Sequence, residues 1–416
     1  MVYTELTTTI GSPWTTGVQR VVREIIPRLM ADDRFDIRPV VWCYGCRDFR
    51  SITNDEIDLL RHPKLGPSQS PTNGTIKQRF VKAAKKYISP MIPQACKQGA
   101  RRIIFRFTQA DTHAAANHHL TPVSSWESGA TFFEIEAGWQ CPTPRPQLFK
   151  CLTARDITIM AIVNDVMPIT NPEWFEKRLA TQFTTWFDAV KLYASTIVAI
   201  SEFTRNEVVN LGATQQVAVV TYGADFPAAT YKKNDAAFAL PAEPYVLCVG
   251  TLEPRKNHAV LLDAFDSLRN AYPTLSLVLV GRRGWQTDAL VKRLRNHPEF
   301  GHRLLWIDTA TDSQLDRLYR HCSVVAVPSI CEGLGLPVIE ALMRGAPVVS
   351  SPGGALLEAG GDLVTYVDPL DAAQWSLAIS QAVVSPSPTV GDGAEMYVGP
   401  TWANTAEQIS GLVRNG

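Results

Sequence analysis

The chain has 416 residues, too many for one ordinary hydrophobic core, so two or more domains are expected. Its 45% hydrophobic content is that of a folded globular protein, and 40 basic residues against 40 acidic ones exclude the overall charge excess of a nucleic-acid binder. No apolar run approaches the ~20 residues of a membrane span, and the opening Met-Val-Tyr-Thr-Glu-Leu lacks the basic start and apolar core of a secretory signal.

In chain order, residues 2–9 read as a strand, 16–30 as a helix and 37–43 as a strand. Then the charge becomes lopsided. Residues 59–110 hold eleven Lys or Arg and no acid, which leaves 29 bases against 40 acids in the rest. Within that stretch Phe80, Ala83, Ala84, Tyr87 and Ile88 recur at helical spacing among Lys82, Lys85 and Lys86. Cationic amphipathic helices attach to anionic bilayers. Residues 77–106 therefore point to peripheral contact with an anionic membrane, the alternative being a solvated basic insertion or one that binds an anionic acceptor. Strand–helix alternation resumes with a strand at 157–163 that ends in Asn164-Asp165, a helix at 175–193, a strand at 196–200, a helix at 204–211 and a strand at 217–221. Residues 227–244 lack periodicity and read as an interdomain linker.

The second half alternates more regularly. Strands are expected at 245–249, 275–280, 304–307, 324–327, 348–350 and 364–367. Helices are expected at 257–270, at 288–296 with Thr287 as a cap, at 312–321 capped by Thr311 or Asp312, after Pro337, and at 372–384. A last helix at 401–416 presents Trp402, Ala406, Ile409 and Val413 on one face. Such alternation argues for an α/β fold with parallel sheets covered on both faces, and ligands in such sheets sit at the carboxyl ends of the strands. The eight cysteines are scattered, and Cys43-x-x-Cys46 has no second pair, so free thiols in a reducing compartment are expected rather than a zinc site.

Chemistry concentrates at two turns. Gly333, Leu334 and Gly335 lie between Glu332 and Glu340 in a strand–glycine loop–helix–strand segment at 324–350. Backbone N–H groups at a helix start accept anions, and glycine lets a ligand come close. Val249-Gly250-Thr251-Leu252-Glu253-Pro254-Arg255-Lys256-Asn257 follows a strand and opens a helix, and two adjacent cations at such a turn suit a diphosphate. The plain alternatives are a helix-capping Glu332, a solvated Glu340 and a solvated basic turn.

Glu332-x7-Glu340 and the Gly-Thr-Leu-Glu-Pro-Arg-Lys-Asn turn resemble the signatures of retaining GT-B glycosyltransferases of family 4. Further elements resemble that family. Asn164-Asp165-Val166-Met167-Pro168 is similar to its His-Asp-Leu-x-Pro loop, with Asn at the His position. Ser201-Glu202-Phe203-Thr204-Arg205 is similar to its Ser-Glu-Phe-Ser/Thr-Arg element, with Ser201 either touching the cleft or capping a helix. Asn171-Pro172-Glu173-Trp174-Phe175 resembles mannosyl- and rhamnosyltransferases of this type.

The resemblance implies two Rossmann-like domains facing a central cleft, with a C-terminal helix crossing back to the first. The acceptor domain would be 1–226 plus 401–416, with the basic insertion at 59–110, and the nucleotide-sugar domain 244–400. It implies Glu332 on the donor sugar, Glu340 on the ribose, and Arg255 and Lys256 on the diphosphate leaving group. Gly333, Leu334, Gly335, Thr251 and Gly17 would line the donor site, Asp165 would hold an acceptor hydroxyl, and Asn164 and Ser201 would touch acceptor or sugar. Asn164 cannot act as a base near neutral pH. With the leaving phosphate accepting the acceptor's proton, a protein base is dispensable. No Asp-x-Asp metal motif follows a strand, so no metal or other cofactor is expected. The resemblance implies hexose transfer, with GDP-mannose the favoured donor, to a growing lipid-linked bacterial glycan, by a cytoplasmic enzyme at the inner face of the membrane. Two other classes stay open: a GT-B sugar-nucleotide epimerase, and a non-catalytic sugar-nucleotide or glycan-binding subunit.

Overall fold

Short runs of aliphatic and β-branched residues become strands whose neighbours are parallel except at one edge, and the helices between them supply the crossovers that parallel pairing requires. The computed structural model describes residues 1–12, 17–34, 36–62, 120–226, 238–384 and 397–415. Most of the basic stretch, including 77–106, and most of the expected linker lie outside the described residues. The chain divides into two compact units, Met1–Thr158 and Ile159–Gly416.

The first unit holds β1 (Val2–Glu5), β2 (Ile37–Cys43), β3 (Asp48–Ser51) and β4 (Thr131–Glu134), in the order β3-β2-β1-β4. β1 runs parallel to β2 and β4, with Val2 opposite both Ile37 and Thr131. β3 pairs antiparallel to β2, a common way to finish the edge of a parallel sheet. The expected strand at 2–9 stops at Glu5, and Thr7–Ile10 is a helical turn. The reason is local. The Thr7 hydroxyl donates to Glu5 Oε1 at 2.6 Å and accepts from the Trp42 N–H at 2.8 Å. The N–H groups of Thr8 and Thr9 are both taken by the Glu136 carboxylate. The ladder has no donors left to continue.

The strand β5 (Thr158–Val163), which opens the second unit, pairs in parallel with β6 (Thr196–Ala199), and β6 with β7 (Gln216–Val219). They are followed by β8 (Tyr245–Val249), β9 (Ser276–Val280), β10 (Leu304–Ile307), β11 (Val324–Val327), β12 (Val348–Ser350) and β13 (Thr365–Tyr366). These six form an all-parallel sheet in the order β10-β9-β8-β11-β12-β13. Leu261, Leu262 and Phe265 of the helix His258–Leu268, with Trp375 and Ile379 of the helix Ala372–Val384, bury the strand residues Val246, Leu277, Leu279, Val324 and Ala326.

The helix Asp312–His321 starts in a capping box made by Thr311 and Gln314, which makes Thr311 rather than Asp312 its cap. Thr287 does not cap the helix Asp288–Arg295. Its backbone lies outside the extended region an N-cap takes, and its hydroxyl turns to the Gly284 carbonyl at 3.5 Å. At the C-terminus Trp402–Asn415 is helical, with Trp402 and Ile409 fully buried. Among the described residues no helix is long and apolar enough to cross a membrane.

Candidate active site

From β8 the chain crosses to β9 on one side, while β11 lies on the other side of β8 and leads outward to β12. This is a topological switch point, and the loops leaving β8 and β11 open a crevice beyond their carboxyl ends. The β8 loop carries Arg255 and Lys256. The β11 loop carries Glu332.

The two loops meet through charge. Glu332 is only 6% exposed. Its Oε2 accepts from Arg255 Nη1 at 2.7 Å. Its Oε1 accepts from Ser329 Oγ at 2.6 Å and from Lys256 Nζ. Burial by itself would raise this carboxyl, but Lys256 and Arg255 outweigh it and hold it down to about 2. Arg255 is largely shielded, with 17% of its side chain exposed, which disfavours its charge, yet Glu332 and Glu253 keep it well above the ordinary arginine value. Glu253, 4% exposed, grips the other edge of the guanidinium, Oε1 to Nε at 2.7 Å.

Local backbone aims these groups. Asn257 sits in the left-handed region at φ 50, a conformation asparagine tolerates, and its side-chain amide donates to the Pro369 carbonyl at 2.6 Å. That fixes the end of the turn Pro254–Lys256. Gly335, at φ 88, turns the β11 loop into the helix Leu336–Leu342, with Pro337 in its first turn. Gly333 has no side chain because none fits, since a Cβ there would overlap the Asn164 carbonyl oxygen.

The loops after β5 and β6 close on the same place. Ser201 Oγ donates to the Gly333 carbonyl at 2.6 Å, and Thr204 Oγ1 donates to it at 3.1 Å. Asp165 Oδ1 accepts from the Met167 N–H at 3.2 Å. Burial raises the Asp165 carboxyl, and the nearby Arg255 only partly offsets this. The Asn164 amide oxygen accepts from the Tyr222 hydroxyl at 2.7 Å, so that side chain is oriented by a buried phenol. Glu332, Arg255, Lys256, Asp165, Asn164, Ser201 and Gly333 are thus gathered in one place.

Residues 231–389, which contain both charged loops, match the family model described as glycosyl transferases group 1. This segment resembles a group 1 glycosyltransferase domain. The chain is 31% identical over 204 residues to the serotype-specific mannosyltransferase WbdA of Escherichia coli, covering 45% of this chain and 25% of that protein. It is 32% identical over 235 residues to the O-antigen chain mannosyltransferase B of Escherichia coli, covering 53% and 60%. It therefore spans only a quarter of the first relative and three fifths of the second. Among solved structures, Anabaena Alr3699/HepE in complex with UDP and glucose superimposes with a TM-score of 0.61 at 15% identity, over 100% of this chain and 99% of that one. At that identity the likeness is one of fold, and the fold is GT-B.

Glu340, on the helix Leu336–Leu342, is buried and its Oε2 accepts from the Tyr319 hydroxyl at 2.8 Å. Leu334 is buried, and the Thr251 methyl lies against Gly284. Gly17 belongs to the first unit, where it opens the helix Gly17–Met30 with space around its Cα.

Several groups escaped the sequence reading. Ser329 and Glu253 hold Glu332 and Arg255, and both lie inside the motifs already singled out. His258 is fully buried, neither ring nitrogen has a partner among the described residues, and burial beside Lys256 depresses it to about 3, so it stays neutral. In the first unit β2 and β4 flank β1, a second switch point. Its carboxyl end holds Glu5, Glu134 and Arg145, with Arg145 within 2.9 Å of both acids. Glu136 lies beside them, its carboxyl raised to about 7 by burial.

Proposed function

We propose that the chain is a retaining glycosyltransferase that moves a hexose from a nucleoside diphosphate sugar to a bacterial polysaccharide or oligosaccharide. The buried Arg255–Glu332–Lys256 cluster at the switch point of a domain that resembles group 1 glycosyltransferases carries this reading. Two cations on one turn match the charge of a diphosphate. Held in a site shielded from water, they stabilise the negative charge that grows as the sugar–phosphate bond breaks. Glu332 takes hydroxyls of the donor sugar, Glu340 those of the ribose, and Gly333, Leu334, Gly335, Thr251 and Gly17 line the donor.

The acceptor hydroxyl oxygen bonds to the anomeric carbon on the face the diphosphate leaves. The carbon–oxygen bond to the diphosphate breaks, and the departing phosphate oxygen takes the hydroxyl proton. Asp165 orients the acceptor hydroxyl, with Asn164 and Ser201 beside it, and no protein base or metal ion is needed. Residues 244–400 are the donor half, and residues 1–226 with the helix at 401–416 are the acceptor half.

The donor we favour is GDP-mannose, because two relatives above 30% identity are mannosyltransferases by name. The acceptor we favour is lipid-linked, met at the inner face of the membrane through the basic stretch at 77–106. The test is transfer from GDP-mannose, UDP-glucose and dTDP-rhamnose to lipid-extracted acceptors in EDTA. Transfer from GDP-mannose with retained anomeric configuration, abolished in Lys256→Ala without a change in melting temperature, is the expected result. Full activity of Lys256→Ala refutes the site. Transfer only from another donor keeps the mechanism and changes the sugar. A metal requirement overturns the charge assignment.

A further inference from the structure

The cations assigned to the diphosphate already have an anion. Each carboxylate oxygen of Glu332 holds one of them, Oε2 taking Arg255 and Oε1 taking Lys256 together with Ser329. A diphosphate reaching Arg255 and Lys256 must therefore compete with Glu332. If it displaces the carboxylate, a buried anion loses two charge-assisted partners and keeps Ser329 and whatever the ligand offers.

What the ligand offers depends on whether the sugar is present. An intact nucleotide sugar brings hydroxyl donors on the same molecule as its diphosphate. The sugar-free nucleotide brings the diphosphate alone and leaves the carboxylate short of donors. The cations are built to change partner. Arg255 stays anchored through Nε to Glu253 at 2.7 Å while Nη1 exchanges. Lys256 lies along Gly250, where the missing side chain leaves its flexible stem room, a Cβ there falling 3.3 Å from Lys256 Cε.

From this exchange geometry we infer that Glu332 is a specificity-determining residue that discriminates the intact donor from the sugar-free nucleotide. The inference rests on the glycosyltransferase reading above. Before donor arrives, Glu332 stands in for the diphosphate. With donor bound it turns to the sugar hydroxyls. Once the sugar has been transferred those hydroxyls are gone, and Glu332 reclaims Lys256 and Arg255 and drives the nucleoside diphosphate out.

The experiment is calorimetric titration of GDP, UDP, GDP-mannose and UDP-glucose into the wild type and Glu332→Gln, without acceptor. Glutamine keeps the shape and removes the charge. The inference expects the cognate sugar-free nucleotide to bind Glu332→Gln about tenfold more tightly than wild type, with the intact donor binding no more tightly, so that the preference for donor collapses. Unchanged or weaker binding of the sugar-free nucleotide by Glu332→Gln overturns the inference and leaves the glycosyltransferase reading standing. Absence of binding by the wild type to all four ligands overturns that reading, and the inference with it. If Glu332→Gln fails to fold by circular dichroism, Ser329→Ala decides the matter. It loosens the carboxylate from its place between the cations, and a smaller gain for the sugar-free nucleotide is expected; no gain refutes the idea.

Discussion

Glu332 and Glu136 are both buried carboxyls, and their surroundings drive them in opposite directions. Glu332 sits between two cations and is held down to about 2 despite burial. The stability it contributes is present above an unfolded value near 4.5 and is lost as pH falls towards 2. Glu136 is raised to about 7 because burial outweighs the hydrogen bonds from Thr8 and Thr9. Here the sign reverses. Stability is fully present below an unfolded value near 4.5 and is lost as pH rises through 7. Glu136→Gln should remove a slope that reaches at most ~1.4 kcal/mol per pH unit. The check is the urea midpoint from pH 5 to pH 8, which should fall in the wild type by more than in the variant; parallel curves would show that Glu136 stays ionised. Only one of these carboxyls stood out in the chain. Glu332 lies in a recognisable glycine loop, whereas Glu134-Ile-Glu136 reads like ordinary surface acids, and its burial depends on strands from elsewhere in the unit.

Ser201 shows how one small element does two jobs. Its side chain accepts from the Thr204 N–H as an N-cap of the helix Glu202–Asn210, and its hydroxyl donates to the Gly333 carbonyl. The structure makes Ser201 the cap, and the same hydroxyl also reaches the loop after β11. Ser201→Ala should cost about 1–2 kcal/mol from the cap alone. It should also lower turnover, because the Gly333 carbonyl next to Glu332 loses a donor. Guanidinium denaturation with a rate measurement separates the two; a stable, fully active variant would show that the bond to Gly333 is incidental. Capping boxes were only half visible. Thr311-x-x-Gln314 preceded a clear helical period, while Thr53-x-x-Glu56 opened the helix Asn54–Arg61 unnoticed, beside a basic stretch with no pattern of its own.

Trp402 ties the C-terminal helix to the rest of the second unit. It is fully buried, its ring centroid lies 5.9 Å from that of Tyr222, and its backbone N–H donates to Asp225 Oδ1 at 2.7 Å. One turn on, the Thr405 hydroxyl donates to the Thr221 carbonyl at 2.9 Å. Gly223 lets the chain pass directly against the Trp402 backbone, where any Cβ would overlap it. Trp402→Ala should cost ~3–5 kcal/mol, the usual loss for truncating a buried large aromatic. A chemical denaturation curve shifted by less than about 1 kcal/mol would mean that the helix is not held there.

The alternation of strands and helices, the six strands of the second half and the two charged turns were all readable along the chain, because period and turn chemistry are local properties. The four-residue stop of β1, the antiparallel β3 and the burial of Glu136 were not, since each depends on partners far away in sequence. The same holds for the central contact of the site. Glu332 meets Arg255 and Lys256 across 77 and 76 residues, and only the placement of β11 beside β8 brings their loops together. A local pattern names the residues that can carry charge. Strand order decides which of those charges face each other, and burial then decides how strongly they pair.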